Sequence, residues 1–329
     1  VPAGSRLRRR FPRRHWHTLI GPYTVGEHVP SLVFRCPVRN SALTSQLPQS
    51  GSNATFDSSV ADRDPDRFAF GKNWVAFLQR VDESTIARAV QSLTEMLDVS
   101  DLTGKRFLDI GSGSGLFSLA AHRLGASVVS LDLDTDSVQC TEELRRRFGS
   151  SNRWSIHTGS ALDRDTLAEL GVFDVVYSWG VLHHTGRMWD ALGNAGDCVV
   201  DKGTLFIAIY NDQGRTSRRW TAIKKLYNRL PSSLRFLVLW PALLRIWGPT
   251  TVRDLLRGRA GQTWREYPEK NRGMSVWRDV VDWVGGYPFE VARPDEITEF
   301  FGERLFRLKS VRTCGRGRGC NEFVFTADK

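Results

Sequence analysis

Arg106-Phe-Leu-Asp-Ile-Gly-Ser-Gly-Ser-Gly115 is the stretch that decides the fold. Phe107 to Ile110 is a short apolar run, the pattern of a buried strand, and three glycines follow at alternate positions, Gly111, Gly113 and Gly115. Leu116-Phe-Ser-Leu-Ala120 then opens an apolar-periodic helix. Strand, glycine turn and helix start make a nucleotide-binding corner. Residues without side chains let the backbone come close to a ligand, and the helix N-terminus offers unpaired N–H groups.

Which nucleotide the corner suits follows from spacing and charge. A dinucleotide fingerprint needs a glycine three residues after Gly113, and Leu116 stands there. A phosphate loop needs a Gly-Lys-Ser/Thr ending, and none is present. Instead Asp109 precedes the first glycine by two residues. A carboxylate there repels a pyrophosphate but suits a ligand with an ammonium and a sulfonium. From Asp109 to Gly115 the chain resembles motif I of the class I S-adenosylmethionine (SAM)-dependent methyltransferases.

The sequence downstream extends that resemblance. The first helix closes at Leu124-Gly125, and Ser127-Val-Val-Ser-Leu131 forms a second strand ending at Asp132. An acid about 20 residues past the glycine turn is placed to hold a ribose diol. Asp134 and Asp136 compete for that role or cap the next helix; the resemblance favours Asp132, with Leu133 beside it in the cofactor site. Trp154-Ser-Ile-His157 is a third strand leading to Gly159-Ser-Ala-Leu-Asp163. Many relatives carry an acid directly after that glycine, whereas Ser160 stands here. The adenine contact therefore falls to Ala161 and Leu162 or to Asp163.

Phe173-Asp-Val-Val-Tyr177 is the fourth strand, running into Ser178-Trp-Gly-Val-Leu-His-His184, which looks like motif IV. The resemblance places Ser178 and Trp179 against the cofactor. Residues beyond the strand end face the substrate, which makes His183 and His184 the candidate catalytic or substrate-contacting pair. Lys202 to Tyr210 supplies a fifth, uninterrupted apolar strand, as expected of a parallel sheet buried on both faces.

The chain has 329 residues, of which 41% are hydrophobic and 25% charged, the make-up of a soluble globular protein. Residues 1–62 differ from the rest. Arginine clusters and a Ser/Gln/Asn/Gly tract give residues 1–60 a net charge of +6 with no amphipathic period, so this part is expected to be disordered. No secretory core follows the arginines, although an acid-poor, Arg-rich start also suits a transit peptide. Five scattered cysteines imply neither a disulfide framework nor a zinc site, and a reducing, cytoplasmic setting fits them. Residues 63–329 then form one α/β domain. Helical spacing from Phe70 to Leu97 precedes the first strand, where Asn73 and Trp74 can lid a cofactor or simply pack.

About 212–287 is an insertion. Arg215 to Arg272 holds fourteen basic and three acidic residues, a net +11, against an overall +10. The remainder outside this stretch and residues 1–60 therefore carries −7, and the basic charge does not belong to the core. Trp220, Ile223, Tyr227 and Leu230 share a helical face flanked by Arg218, Arg219, Lys224, Lys225 and Arg229. Leu234 to Trp247 is apolar but short, broken by Pro241 and bounded by arginines, so it does not span a bilayer. The insertion can lie on an anionic membrane, cap a hydrophobic pocket, or pack on the core with its arginines in water. Nucleic-acid binding, without a recognised motif, fits less well. A Gly- and aromatic-rich loop can bring Asp282 or Tyr287 back over the substrate, and Leu305–Arg312 with Glu322–Phe325 closes the sheet as a hairpin.

The resemblance implies a Rossmann-like, seven-stranded, mostly parallel sheet with a terminal antiparallel hairpin. It also implies methyl transfer from SAM to a small, hydrophobic acceptor, with O-methylation favoured. In arrangement the chain is similar to ubiquinone-biosynthesis O-methyltransferases, which also carry a late insertion. It departs from them at motif IV, where Gly180, His183 and His184 replace the metal-holding set, so no metal is expected. Two other readings stay open, an RNA methyltransferase using the basic insertion and a SAM-binding protein without catalysis. The site is expected to be cytoplasmic, with peripheral membrane contact a further option.

Overall fold

Strands dense in Val, Ile, Leu and Phe with no polar face must be covered on both sides. In the computed structural model, β1 (Arg106–Ile110), β2 (Ser127–Asp132), β3 (Trp154–Thr158), β4 (Phe173–Trp179), β5 (Val199–Tyr210), β6 (Phe306–Arg312) and β7 (Cys320–Ala327) form one sheet in the order β3-β2-β1-β4-β5-β7-β6. The first five run parallel and β7 pairs antiparallel with both β5 and β6. The structure describes residues 68–329 apart from 69, 80, 150–151, 271–274 and 316; the expectation for residues 1–62 lies outside these, as does the Asn73 side chain.

Helices cover both faces. On one, α2 (Glu83–Leu97), α3 (Leu116–Arg123) and α4 (Thr135–Phe148) bury Leu93, Leu119 and Leu144 against Phe107, Val128 and Tyr177. On the other, α5 (Arg164–Leu170), α6 (Met188–Asp197) and α11 (Pro294–Gly302) bury Leu167, Leu192 and Phe301 against Leu108, Val176 and Phe325. The short α5 is absent from the reading of the sequence alone. Asp163 caps it, accepting from the N–H groups of Asp165 and Thr166, so that carboxylate serves the helix start.

The insertion folds as α7 (Arg215–Arg229), α8 (Phe236–Leu256), α9 (Gln262–Lys270) and α10 (Val276–Gly285) around a third core of its own. Trp220, Tyr227, Leu243, Trp247, Trp264 and Val280 are buried there. At about 1.5–3 kcal/mol for each large apolar side chain, this core is a substantial part of what holds the insertion together, and Tyr210 of β5 packs against it. Two expectations fail here. Pro241 does not break the apolar run but sits inside α8, as does Pro249, because burial of Leu239, Ala242, Leu243, Ile246 and Trp247 along one side outweighs the lost backbone bonds. Lys224, read as a flanking charge, is fully buried. Its Nζ donates to the Trp283 carbonyl and lies 4.5 Å from the ring centroids of both Trp283 and Phe289, which replace water around the ammonium.

Candidate active site

At the carboxyl end of β1 the chain turns through Gly111 and Gly113, at φ 79° and 56°. Both lie in the left-handed region that favours glycine. Space forbids side chains as well: a Cβ on Gly111 would lie 2.3 Å from Val181, and one on Gly113 3.0 Å from the Trp74 indole. The turn is pinned by backbone and acid. Gly111 N–H donates to the Leu131 carbonyl at 2.7 Å, and Gly113 N–H to Asp132 Oδ2 at 2.8 Å. Asp132 Oδ1 accepts from Asp134 N–H at 2.9 Å. A carboxylate accepts about four hydrogen bonds, so shaping the loop does not by itself stop Asp132 accepting from a diol.

The three acids that the sequence leaves in competition separate by role. Asp132 lines the cavity above the glycine loop. Asp134 caps α4 through Asp136 N–H and also accepts from Gly71 N–H at 2.9 Å. It thereby ties the start of α1 (Gly71–Leu78) to the corner and brings Trp74 over the glycines, where it lines the cavity and packs edge-on against Phe77.

Asp109 is 2% exposed, and burial pushes its carboxyl up to about 7. A relay that sequence reasoning missed supports it. Trp154 Nε1 donates to Ser130 Oγ at 2.8 Å, Ser130 and Ser118 hydroxyls are 2.7 Å apart, and Ser118 Oγ donates to Asp109 at 2.6 Å. The signal for it is a serine inside each of two apolar runs, Leu-Phe-Ser-Leu and Val-Val-Ser-Leu.

Leu133, Ala161, Leu162 and Trp179 line the same cavity. Ser160 Oγ accepts from Leu162 N–H at 3.1 Å, holding the bend, and buried Asn194 donates to the Ala161 carbonyl at 3.0 Å. Trp179 Nε1 donates to Glu322 Oε1 at 2.9 Å. Ser178 is placed elsewhere: it is fully buried, does not line the cavity, and donates to the Ile110 carbonyl at 2.9 Å, stitching β4 to β1.

The two histidines part company in the same way. His183 is fully buried off the cavity wall, with its ring centroid 3.9 Å from that of Tyr210. Its Nδ1 accepts from Tyr210 N–H at 3.3 Å, and burial lowers its pKa well below the usual imidazole value, keeping it neutral. His184 does line the cavity, and its Nδ1 lies 2.6 Å from the Pro288 carbonyl. A carbonyl only accepts, so Nδ1 carries the proton and Nε2 is the basic nitrogen.

From this corner a cavity of about 1020 Å3 continues under the insertion, past Tyr210, Trp283 and Tyr287 to Trp247, Tyr267 and Asp279. Asp282 and Tyr287, anticipated as a returning loop, are on its wall. The residues present fit an adenosyl amino acid: a glycine cradle too tight for any Cβ, an acid at the ribose position and a buried acid at the foot of the cavity. Among the described residues no group of three or more His, Cys, Asp or Glu is arranged to hold a metal.

A family model described as a methyltransferase domain matches residues 79–269. Ribosomal protein L11 methyltransferase of Serratia proteamaculans is 32% identical over 112 residues, 34% of this chain and 38% of that protein. Its counterpart from Photobacterium profundum is 32% identical over 114 residues, with the same coverage of 34% and 38%. The chain thus spans less than half the length of the curated relatives it matches. Among solved structures, magnesium protoporphyrin IX methyltransferase from Synechocystis PCC 6803, with bound SAH, is 15% identical at a TM-score of 0.48, covering 82% of this chain and 99% of that one. The family match takes in more than half of the chain, including the glycine corner and the strand end at motif IV, and the chain belongs to the methyltransferase domain family in its class I, SAM-dependent form.

Proposed function

We propose that the protein transfers a methyl group from SAM to the oxygen of a small, largely apolar acceptor. The observation that carries this reading is a continuous cavity that joins the glycine corner to an aromatic chamber lined by the insertion. The bound cofactor would supply an electrophilic methyl on a sulfonium. The chain's own work is positioning, exclusion of water and handling of one proton. Gly111 and Gly113, without side chains, let the backbone of the turn approach the ligand closely, Asp132 accepts from the ribose, and Asp109 faces its cationic end. Leu133, Ala161 and Leu162 flank the adenine. His184, its tautomer set by Pro288, takes the acceptor's proton on Nε2, while His183 holds Tyr210 and Glu290 in place through Tyr210 N–H and its own carbonyl.

A macromolecular acceptor is the alternative, since the L11 methyltransferases are named for a ribosomal protein and the insertion carries a strongly basic charge. The aromatic lining of the chamber, with Tyr210, Trp247, Trp283 and Tyr287, favours the small molecule. Incubation with methyl-labelled SAM and a fractionated cell extract decides between them. Label in a lipid or small-molecule fraction is expected, and label confined to RNA or protein would overturn the acceptor class. His184→Gln is expected to slow turnover by about 10²–10⁴-fold with SAM binding intact; unchanged turnover would remove it from the base role.

The partner reading extends to a membrane surface. No described helix is long and apolar enough to cross a bilayer. Yet α8 exposes Leu237, Trp240, Leu244, Val252 and Leu255 at helical spacing, each 47–66% exposed, beside the arginines of the insertion. Such a face suits shallow contact with anionic lipid, from which an apolar acceptor would enter.

A further inference from the structure

The far end of the cavity contains a charge that neither cofactor binding nor proton removal uses. Arg318, in the turn between β6 and β7, lines the cavity opposite α10. Among the described residues it makes no ion pair and no hydrogen bond; its guanidinium lies 5.9 Å from the Trp283 ring centroid. The acid nearest to hand is Asp279, already committed to Tyr267, whose hydroxyl donates to Asp279 Oδ2 at 2.8 Å. Burial raises the Asp279 carboxyl above its ordinary value, against the Tyr267 hydrogen bond and the Arg318 charge, which act in the other direction. A second guanidinium, Arg245 of α8, is close enough to depress that of Arg318 and lines an adjoining cavity that Arg318 also borders. Lys224 lies behind Trp283, adding no negative charge. Around these groups the walls are aromatic: Tyr210, Trp247, Trp283 and Tyr287.

Two guanidiniums thus meet the one carboxylate of Asp279, and a half-buried cation that makes no ion pair, at an aromatic chamber, is arranged for an anion brought in by a flat apolar body. We infer that the methyl acceptor is an aromatic acid, its ring system held among Tyr210, Trp247 and Trp283 and its carboxylate received by Arg318. A planar guanidinium presents two parallel N–H donors that match a carboxylate. Tyr267 and Asp279 line the same pocket.

This inference rests on the methyl-transfer reading, because it names the acceptor for the same cavity, but its test does not need turnover. Binding of naphthalene-2-carboxylate and of its neutral isostere naphthalene-2-carboxamide is followed by quenching of tryptophan fluorescence, with and without SAH. The wild-type protein is expected to bind the carboxylate at least about tenfold more tightly. Arg318→Gln is expected to abolish the difference, and Arg318→Lys to restore part of it. Unchanged SAH affinity, measured by calorimetry, establishes that both variants are folded. Equal binding of the two probes, binding of neither, or a preference that survives in Arg318→Gln overturns the inference. Failure of the wild-type protein to bind SAH would instead sink the cofactor reading while the carboxylate preference stayed measurable.

Discussion

Asp109 and Asp132 sit on the neighbouring strands β1 and β2 and line one cavity, yet their environments differ. Asp132 holds two backbone N–H groups and shapes the loop. Replacing it with Ala removes those acceptors as well as the proposed diol contact, so SAM affinity should weaken by about 1–3 kcal/mol and the melting temperature should fall with it. Asn, which keeps one acceptor oxygen, should restore much of the stability and less of the affinity; calorimetry with SAM and thermal melts on the two variants check this, and undiminished affinity in Asp132→Ala would remove Asp132 from the site. Asp109 is raised from 3.8 to about 7 by burial, with the Asp132 charge adding to the effect. A carboxyl with a native pKa above its unfolded one makes the fold bind more protons. Its contribution to stability therefore declines as pH rises from 3.8 to about 7 and is level above that. A cationic ligand group beside it favours the ionised form, so SAH binding at pH 6 should release a proton, and affinity should climb with pH up to about 7. Calorimetry in two buffers of different ionisation enthalpy reads that release directly, and a value near zero would separate Asp109 from the ligand's cation.

The insertion helices carry their own titration. Burial lowers Lys224 from 10.5 to about 7, while the rings of Trp283 and Phe289 at 4.5 Å work in the other direction by favouring the ammonium. With its native pKa below the unfolded value, the unfolded chain holds the proton between about 7 and 10.5. Stability of the unit formed by α7, α8 and α10 should therefore rise with pH through that window. Lys224→Met, which fills the box without a charge to desolvate, should flatten the rise and cost little at pH 7. Chemical denaturation at pH 7 and pH 9 tests this, and an unchanged pH slope in the variant would assign the slope to another group. The sequence places Lys224 on a helix flank, one residue from Ile223 and three from Tyr227, where a lysine is ordinarily solvated. Only the arrival of α10 from 59 residues away, bringing the Trp283 carbonyl and ring, turns that flank inward.

At the scale of the whole molecule, the sheet supplies the corner and the insertion supplies the roof. The exposed face of α8 is the outermost part of that roof. If it rests on lipid, the protein should co-sediment with vesicles containing phosphatidylserine, less so as salt screens the arginines, and not with neutral vesicles. Leu244→Glu, at a position 66% exposed, should weaken that association without lowering the melting temperature; equal sedimentation of variant and wild type would place the contact elsewhere. What the sequence by itself determined is the strand–glycine–acid grammar from Phe107 to Asp132, the five parallel strands and the closing hairpin. Those features are written in local periodicity and in positions that only glycine occupies easily. The tertiary structure decided which residues of that grammar line the cavity. Ser178 and His183 turn into the sheet while Trp179 and His184 turn out. His184 acquires its tautomer from Pro288, 104 residues away, and Arg318 joins the cavity only because β7 returns beside β5. Local pattern sets the backbone path, but burial and charge are set by which distant segments close over it.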